Sequence, residues 1–274
     1  MKLKLSNLIF YSILLIIAMI FLTPIFYSIV TSFKTENEIF SKVFTIFPRN
    51  ATSRNYEYIF ERGTQYLTYY KNSIIITLGG VILTTILSSI GGYAFARLPF
   101  KGRGTIIIFM LFIITFPLAV LLVPIYIMEY NLNILNTNLG LILPNVAALL
   151  PFTTFIMRGI FRSIPKELED SAEIDGCSVF MTWLRIMLPL ARNGIIITII
   201  YSFYMIWGEY TLAVTLATEA SAMPLSVALT LLRGEGWNYG VLGAVIVLAS
   251  IPPIIIFLAF QKYLVTGLTS GAIK

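Results

Sequence analysis

The 274 residues are 58% hydrophobic and 12% charged, where a water-soluble domain of this size carries roughly a quarter charged residues; with a mean hydropathy of +0.87, lipid is the expected solvent. The absence of histidine removes the commonest general base and metal ligand, and the lone cysteine, Cys177, forms no internal disulfide. The net charge of +6 comes from 19 Lys and Arg scattered between apolar runs, a pattern of membrane topology rather than of a nucleic-acid surface.

A bilayer crossing takes roughly 20 mainly apolar residues. Uncharged runs of sufficient length occupy residues 5–33, 72–96, 104–128, 130–157 and 236–261, and a sixth, 193–218, is interrupted only by Glu209. The expectation is an all-α integral membrane protein, one transmembrane domain over 1–274, with six spans near 8–32, 72–97, 105–128, 139–160, 191–216 and 238–262. The first run, after Lys2 and Lys4, is too long for a signal-peptide core and lacks a cleavage pattern, so it reads as a span. Lys and Arg orient the bundle. Arg97, Lys101 and Arg103 join the second and third spans, whereas the third-to-fourth connection around Glu129 has no basic residue; the first join is therefore cytoplasmic, as are both termini. Residues 33–71, with six basic and four acidic residues, dissent, although connections of that length obey the rule less strictly.

Pro24, Pro117, Pro124, Pro144, Pro151, Pro252 and Pro253 lie in or beside spans and permit bends. Ser88, Ser89, Gly91, Gly92, Ala94 and Ala96 give the second span a small-residue surface for close helix approach.

Between the fourth and fifth spans, residues 158–192 are too polar to cross yet helical in pattern. A cytoplasmic helix is expected over about 165–178. Ser163 is positioned to cap it, Pro165 suits its first turn, and Glu167, Glu169 and Asp170 complement the helix dipole. Leu168, Ala172 and Gly176 recur every four residues, making one face with an apolar start and two small residues, and Gly176 also interrupts the helix. Such a face suits a docking partner; a solvated helix lying on the membrane is the plainer alternative.

Asp170, Ser171, Ala172, then Gly176, then Ile186, Met187, Leu188 and Pro189 resemble, in spacing throughout, the E-A-A, three residues, G, nine residues, I-x-L-P signature of ATP-binding-cassette importer permeases. Ile164-Pro165, Glu167-Leu168-Glu169 and Ile174-Asp175-Gly176 add to the likeness, while Asp170 replaces Glu and Ser171 replaces the first Ala. The resemblance implies the type I importer permease fold, with this segment as a coupling helix seated in a partner ATPase through Glu169, Asp170, Ser171, Ala172, Asp175 and Gly176. Thr31-Ser32-Phe33-Lys34, Asn72-Ser73, Tyr93-Ala94-Phe95-Ala96-Arg97 and the tail 264–274 are similar to the carbohydrate-uptake branch, particularly the second membrane subunit of maltose importers. For such a relative, Lys274 and its neighbours form a second ATPase contact, and residues 219–238 meet the binding protein.

Trp207-Gly208-Glu209-Tyr210 resembles the W-N-E-Y of that branch. A carboxylate inside a span is costly unless it faces water or a partner, so Glu209, with Tyr204, Trp207 and Tyr210 as aromatic surface, is a candidate for the translocation path; anchoring at the membrane interface is the other reading of the aromatics.

The sequence carries no phosphate-binding Gly-x-x-x-x-Gly-Lys-Ser/Thr loop. The chain is expected not to be catalytic itself and to hold neither cofactor nor metal, with ATP and Mg at partner ATPase subunits. The implied partners are a second homologous permease, two cytoplasmic ATPase subunits, an extracellular or periplasmic solute-binding protein and membrane lipid, with no nucleic acid. The implied setting is the bacterial cell (inner) membrane and the implied cargo a sugar or oligosaccharide; a peptide, glycerol phosphate or polyamine permease would share the architecture.

Overall fold

The structure, a computed structural model, describes residues 5–61, 63–231 and 238–270. Among these there is no strand. In chain order the α-helices are α1 (Leu5–Ser32), α2 (Glu36–Ile39), α3 (Arg54–Glu61), α4 (Gly63–Arg97), α5 (Arg103–Thr115), α6 (Leu118–Leu132), α7 (Asn138–Ser163), α8 (Glu167–Ile174) and α9 (Val179–Thr182). A π-helical turn, Trp183–Met187, precedes α10 (Leu188–Leu190), α11 (Arg192–Trp207), α12 (Thr211–Leu216), α13 (Leu225–Leu231) and α14 (Tyr239–Ser270). Four stretches, within α1, α4, α7 and α14, are long and apolar enough to cross a bilayer unaided, and two bent pairs raise the number to six if each is one span.

The first bent pair occupies the expected third span, 105–128, and places a sharp bend at Pro117. α5 and α6 meet at 102°, because Pro117 has no N–H to continue the ladder and Phe116, preceding a proline, is extended at φ −75° and ψ 128°. The other prolines named above stay within helices, Pro24 in α1, Pro124 in α6, Pro144 and Pro151 in α7, and Pro252 and Pro253 in α14. The second bend, 78°, lies between Val179–Leu190 and Arg192–Trp207. The fifth expected span, 191–216, is α11, then a break at residues 208–210, then the short α12.

Two compact units are present, one of the described residues up to Leu67 with Ala228–Pro252, the other of Thr68–Val227 with the described residues from Pro253 onward. In the first, the buried Asn55 donates to the carbonyls of Ser32 and Lys34 at 2.8 and 2.9 Å, fastening α3 to the end of α1. The Lys34 ammonium donates to the Thr45 carbonyl, and Glu38 accepts from the Thr45 hydroxyl and the Arg49 amide at 2.9 and 2.8 Å. The 33–71 segment therefore spends part of its charge on its own folding, a reason its basic residues weigh little in topology.

In the second unit, α4, α7 and α11 enclose a core that includes Ile76, Val81, Leu141, Ile142, Phe203 and Ile206. Glycines allow the approach. A Cβ on Gly92 would lie 2.5 Å from Met157 Cβ and 2.9 Å from the Arg158 amide nitrogen, so α4 and α7 are in backbone contact there. Ser88 and Ser89 are buried beside it, and the small-residue stretch of the second span serves this crossing.

Candidate coupling site and polar path

The link from α7 to α11 is built from local rules. α7 ends at Ser163, whose hydroxyl donates back to the Ile160 carbonyl at 2.8 Å; it does not cap α8, contrary to the sequence expectation, because the extended Ile164 before Pro165 carries the chain away. The N-cap of α8 is Lys166, without a side-chain cap bond, and Glu167, Glu169 and Asp170 fill the first turn. The helix is shorter than the expected 165–178. Gly176 adopts φ +79°, its amide donating to the Glu173 carbonyl at 3.0 Å and the Cys177 amide to the Ala172 carbonyl at 2.9 Å. These two bonds form a Schellman cap, in which a left-handed residue closes the helix. The Ala172-to-Gly176 spacing is thus a stop signal, and Gly176 does not continue the face begun by Leu168 and Ala172.

Burial divides the candidate coupling residues. Ala172 is buried in its own chain, whereas Asp170, Ser171, Asp175 and Gly176 are exposed. Ile174 is 87% exposed, and Val179 and Phe180 are also exposed, so the end of α8 and the start of α9 present an apolar patch beside acidic groups. Asp170 reaches Lys166 at 3.8 Å in a solvated pair, worth at most a few tenths of a kcal/mol. Glu169 turns inward to Arg97 Nε at 2.6 Å, with side chains 14% and 13% exposed. Burial pushes the Glu169 carboxyl above the ordinary carboxylate range, against the opposing pull of the Arg97 charge. Lys274 lies outside the described residues, as do residues 232–237 of the expected binding-protein contact.

The path candidates separate as well. Glu209 accepts from the Leu212 and Ala213 amides at 2.7 and 3.0 Å, so its carboxylate caps α12. This is how the chain accommodates the charge in an apolar stretch, and no sequence pattern named α12 as its partner. Glu209 and Trp207 line a cleft with Ser73, Thr77, Asn145 and Ser226, about 10 Å³ in volume, room for about one water and none for a sugar ring. Trp207 stacks on Phe203 at 5.8 Å between ring centroids and meets Tyr70 edge-on at 6.0 Å. Tyr204 instead donates to the Pro253 carbonyl at 2.9 Å, and Tyr210 is exposed; neither lines the cleft. Sequence reasoning missed Thr77 and Asn145, although Asn145, an amide in an otherwise apolar span, is a usable signal. Glu129, read as a loop marker, sits fully buried on α6.

Comparison with known proteins agrees with this architecture. Residues 85–270 match the family described as binding-protein-dependent transport system inner membrane component. The chain is 32% identical over 264 residues to the diacetylchitobiose uptake system permease protein of Streptomyces coelicolor, covering 96% of this chain and 95% of that one. It is 33% identical to the arabinooligosaccharides transport system permease protein of Bacillus subtilis (95% and 93% covered). It is 34% identical to the trehalose/maltose transport system permease protein of Thermococcus litoralis (95% and 94% covered). Among solved structures, a bacterial ABC transporter involved in import of the acidic polysaccharide alginate shares the fold at a TM-score of 0.80 and 24% identity, covering 96% of this chain and 99% of that one. A helical chain with up to six apolar crossings, matched over most of its length by permeases, belongs to the family of inner membrane components of binding-protein-dependent transport systems.

Proposed function

We propose that this chain is one of two permease subunits in an ATP-driven, binding-protein-dependent importer of a sugar or oligosaccharide. Its six crossings are α1, α4, the bent α5–α6 pair, α7, α11 with its flanking turns, and α14, both termini facing the cytoplasm. α8 is the coupling helix, received by one of two ATPase subunits that bind ATP and Mg, and a second, related permease completes the pathway. An external solute-binding protein delivers the cargo; the related alginate importer has been described in complex with a periplasmic protein bound to an alginate pentasaccharide.

The observation that carries this reading is α8 itself, a short acidic helix closed at Gly176 and carrying Ile174 almost fully in the open. An apolar side chain exposed beside Asp170 and Asp175 is costly in water and is relieved when a partner covers it. The cargo reading rests on relatives whose names specify diacetylchitobiose, arabinooligosaccharides and trehalose or maltose. The cleft at Glu209 holds about one water, so a sugar would travel along the surface that the second permease closes. ATP-driven movement then alternates which side of that surface is open.

The test is reconstitution of the complete importer in liposomes with labelled oligosaccharides and competing solutes. ATP-dependent uptake competed by sugars is the expected result. Competition by a peptide, a glycerol phosphate or a polyamine would retain the architecture and overturn the cargo.

A further inference from the structure

We propose that Arg97 latches the coupling helix to α4, making α4 the rod that carries motion of α8 to the polar cleft at Glu209. The inference rests on the coupling reading above and goes beyond it by assigning Arg97 a role and by turning Glu169 from a motor contact into an internal one.

Arg97 is the last residue of α4. Its guanidinium pairs with Glu169 at 2.6 Å and also donates to the Ile164 carbonyl, so one planar fork grips both the turn before α8 and its first turn. Each charge also suits its helix end, a cation at the C-terminus of α4 and an anion at the N-terminus of α8. Because the pair is largely withdrawn from water, parting it leaves two poorly solvated charges, and moving α4 along with α8 is the cheaper response. The surroundings brace this end. Arg158 Nε donates to the Phe95 carbonyl at 3.2 Å, and Tyr93 meets Phe161 edge-on at 5.6 Å.

The other end of the rod is fastened equally well. Asn72 donates to the carbonyls of Ser221 and Met223 at 2.8 and 3.1 Å, and Ser73 accepts from the Leu225 amide at 2.8 Å. Ser73 and Thr77 then line the cleft with Glu209. From Asn72 to Arg97 is about 37 Å at a helical rise of roughly 1.5 Å per residue. α4 is unbroken over that length, so on this proposal displacement at Arg97 is carried to Asn72.

The experiment uses the complete importer in proteoliposomes with its binding protein, reading uptake per ATP hydrolysed and retention of the ATPase subunits on purification. Arg97→Gln and Glu169→Gln should each lower uptake per ATP by at least about fivefold, the lower end of typical coupling effects, with the ATPase subunits retained. Arg97→Lys should recover part of the loss, and the exchange Arg97→Glu with Glu169→Arg should recover more than either reversal alone. A Glu169→Gln complex that sheds its ATPase while Arg97→Gln couples normally would overturn the latch and make Glu169 a motor contact. Full coupling in both single variants, or an exchange no better than the single reversals alongside an Arg97→Lys no better than Arg97→Gln, would also overturn it. Native chain that retains no ATPase subunit at all would instead refute the coupling reading.

Discussion

Gly176, within the signature, and Glu169, just before it, carry different kinds of information. At Gly176 a Cβ would meet nothing within 4 Å in this chain, so the demand for glycine comes from φ +79°, where an ordinary side chain costs about 1–2 kcal/mol. Gly176→Ala is expected to weaken the α8 cap by about that amount, and Gly176→Asn by less, since asparagine tolerates the left-handed region; uptake assays on the two variants check the order. If Gly176→Leu is far worse than Gly176→Ala, the excess reports a partner surface close by. At Glu169 the sign of the pH effect follows from burial. Its raised pKa, with Arg97 and Tyr93 facing it from α4 and Asp170 and Lys166 beside it on α8, means that acid protonates it early and dissolves the ion pair. A carboxyl whose pKa is raised by folding contributes most to stability when protonated and loses that contribution as pH rises through its folded value. Mild acid should therefore lower uptake per ATP without loss of stability from this group, and Glu169→Gln should flatten that pH profile.

Among elements, the contact of α4 with α7 makes the sharpest prediction. Gly92→Ala pushes a methyl into Met157 Cβ and the Arg158 amide, backbone-bound atoms with little freedom, and should cost about 1–3 kcal/mol as overpacking. Gly104, on α5 with nothing near its would-be Cβ, provides the control: Gly104→Ala should be neutral or stabilise by up to about 1 kcal/mol from helix propensity. Thermal unfolding in detergent distinguishes them. Much of this was legible beforehand, because Ser88, Ser89, Gly91 and Gly92 announce a close-packed face whatever their partner. The break between α5 and α6 was less so. Pro117 stood in the sequence as one of seven prolines that permit bends, and only the extended Phe116 before it distinguishes a 102° turn from the prolines that α7 and α14 absorb. The interruption of the helix at Gly176 was readable, but capping and docking make the same demand for glycine, and the spacing alone does not choose between them. The Arg97–Glu169 pair was not readable: three acidic residues share the first turn of α8, and which one turns inward depends on where α4 ends.

For the whole molecule, the long uncharged runs pointed to helices, since a span in lipid must satisfy its own backbone and a barrel would show short alternating strands instead, and composition removed enzymes that depend on histidine. The positive-inside rule placed α8 on the same side as Arg97, Lys101 and Arg103, and the contact of Arg97 with Glu169 agrees with it, since residues in contact share a side of the bilayer. The polar cleft at Glu209 was only half legible. A carboxylate in a span announces that something satisfies it, and here the amides of α12 do so. Removing it should therefore act first on folding: Glu209→Gln is expected to cost about 1–2 kcal/mol through the weakened cap, read by thermal unfolding, with loss of uptake following the loss of folded protein.

On the proposed function, α8 sits against a motor subunit on the cytoplasmic side. Labelling of Ile174→Cys, in a chain with Cys177→Ser, by a membrane-impermeant maleimide tests it directly. The thiol should react from the cytoplasmic face once the ATPase subunits are stripped and be shielded when they are restored. Reaction from the outer face, or equal reaction with the ATPase bound, would rule out that seating of α8.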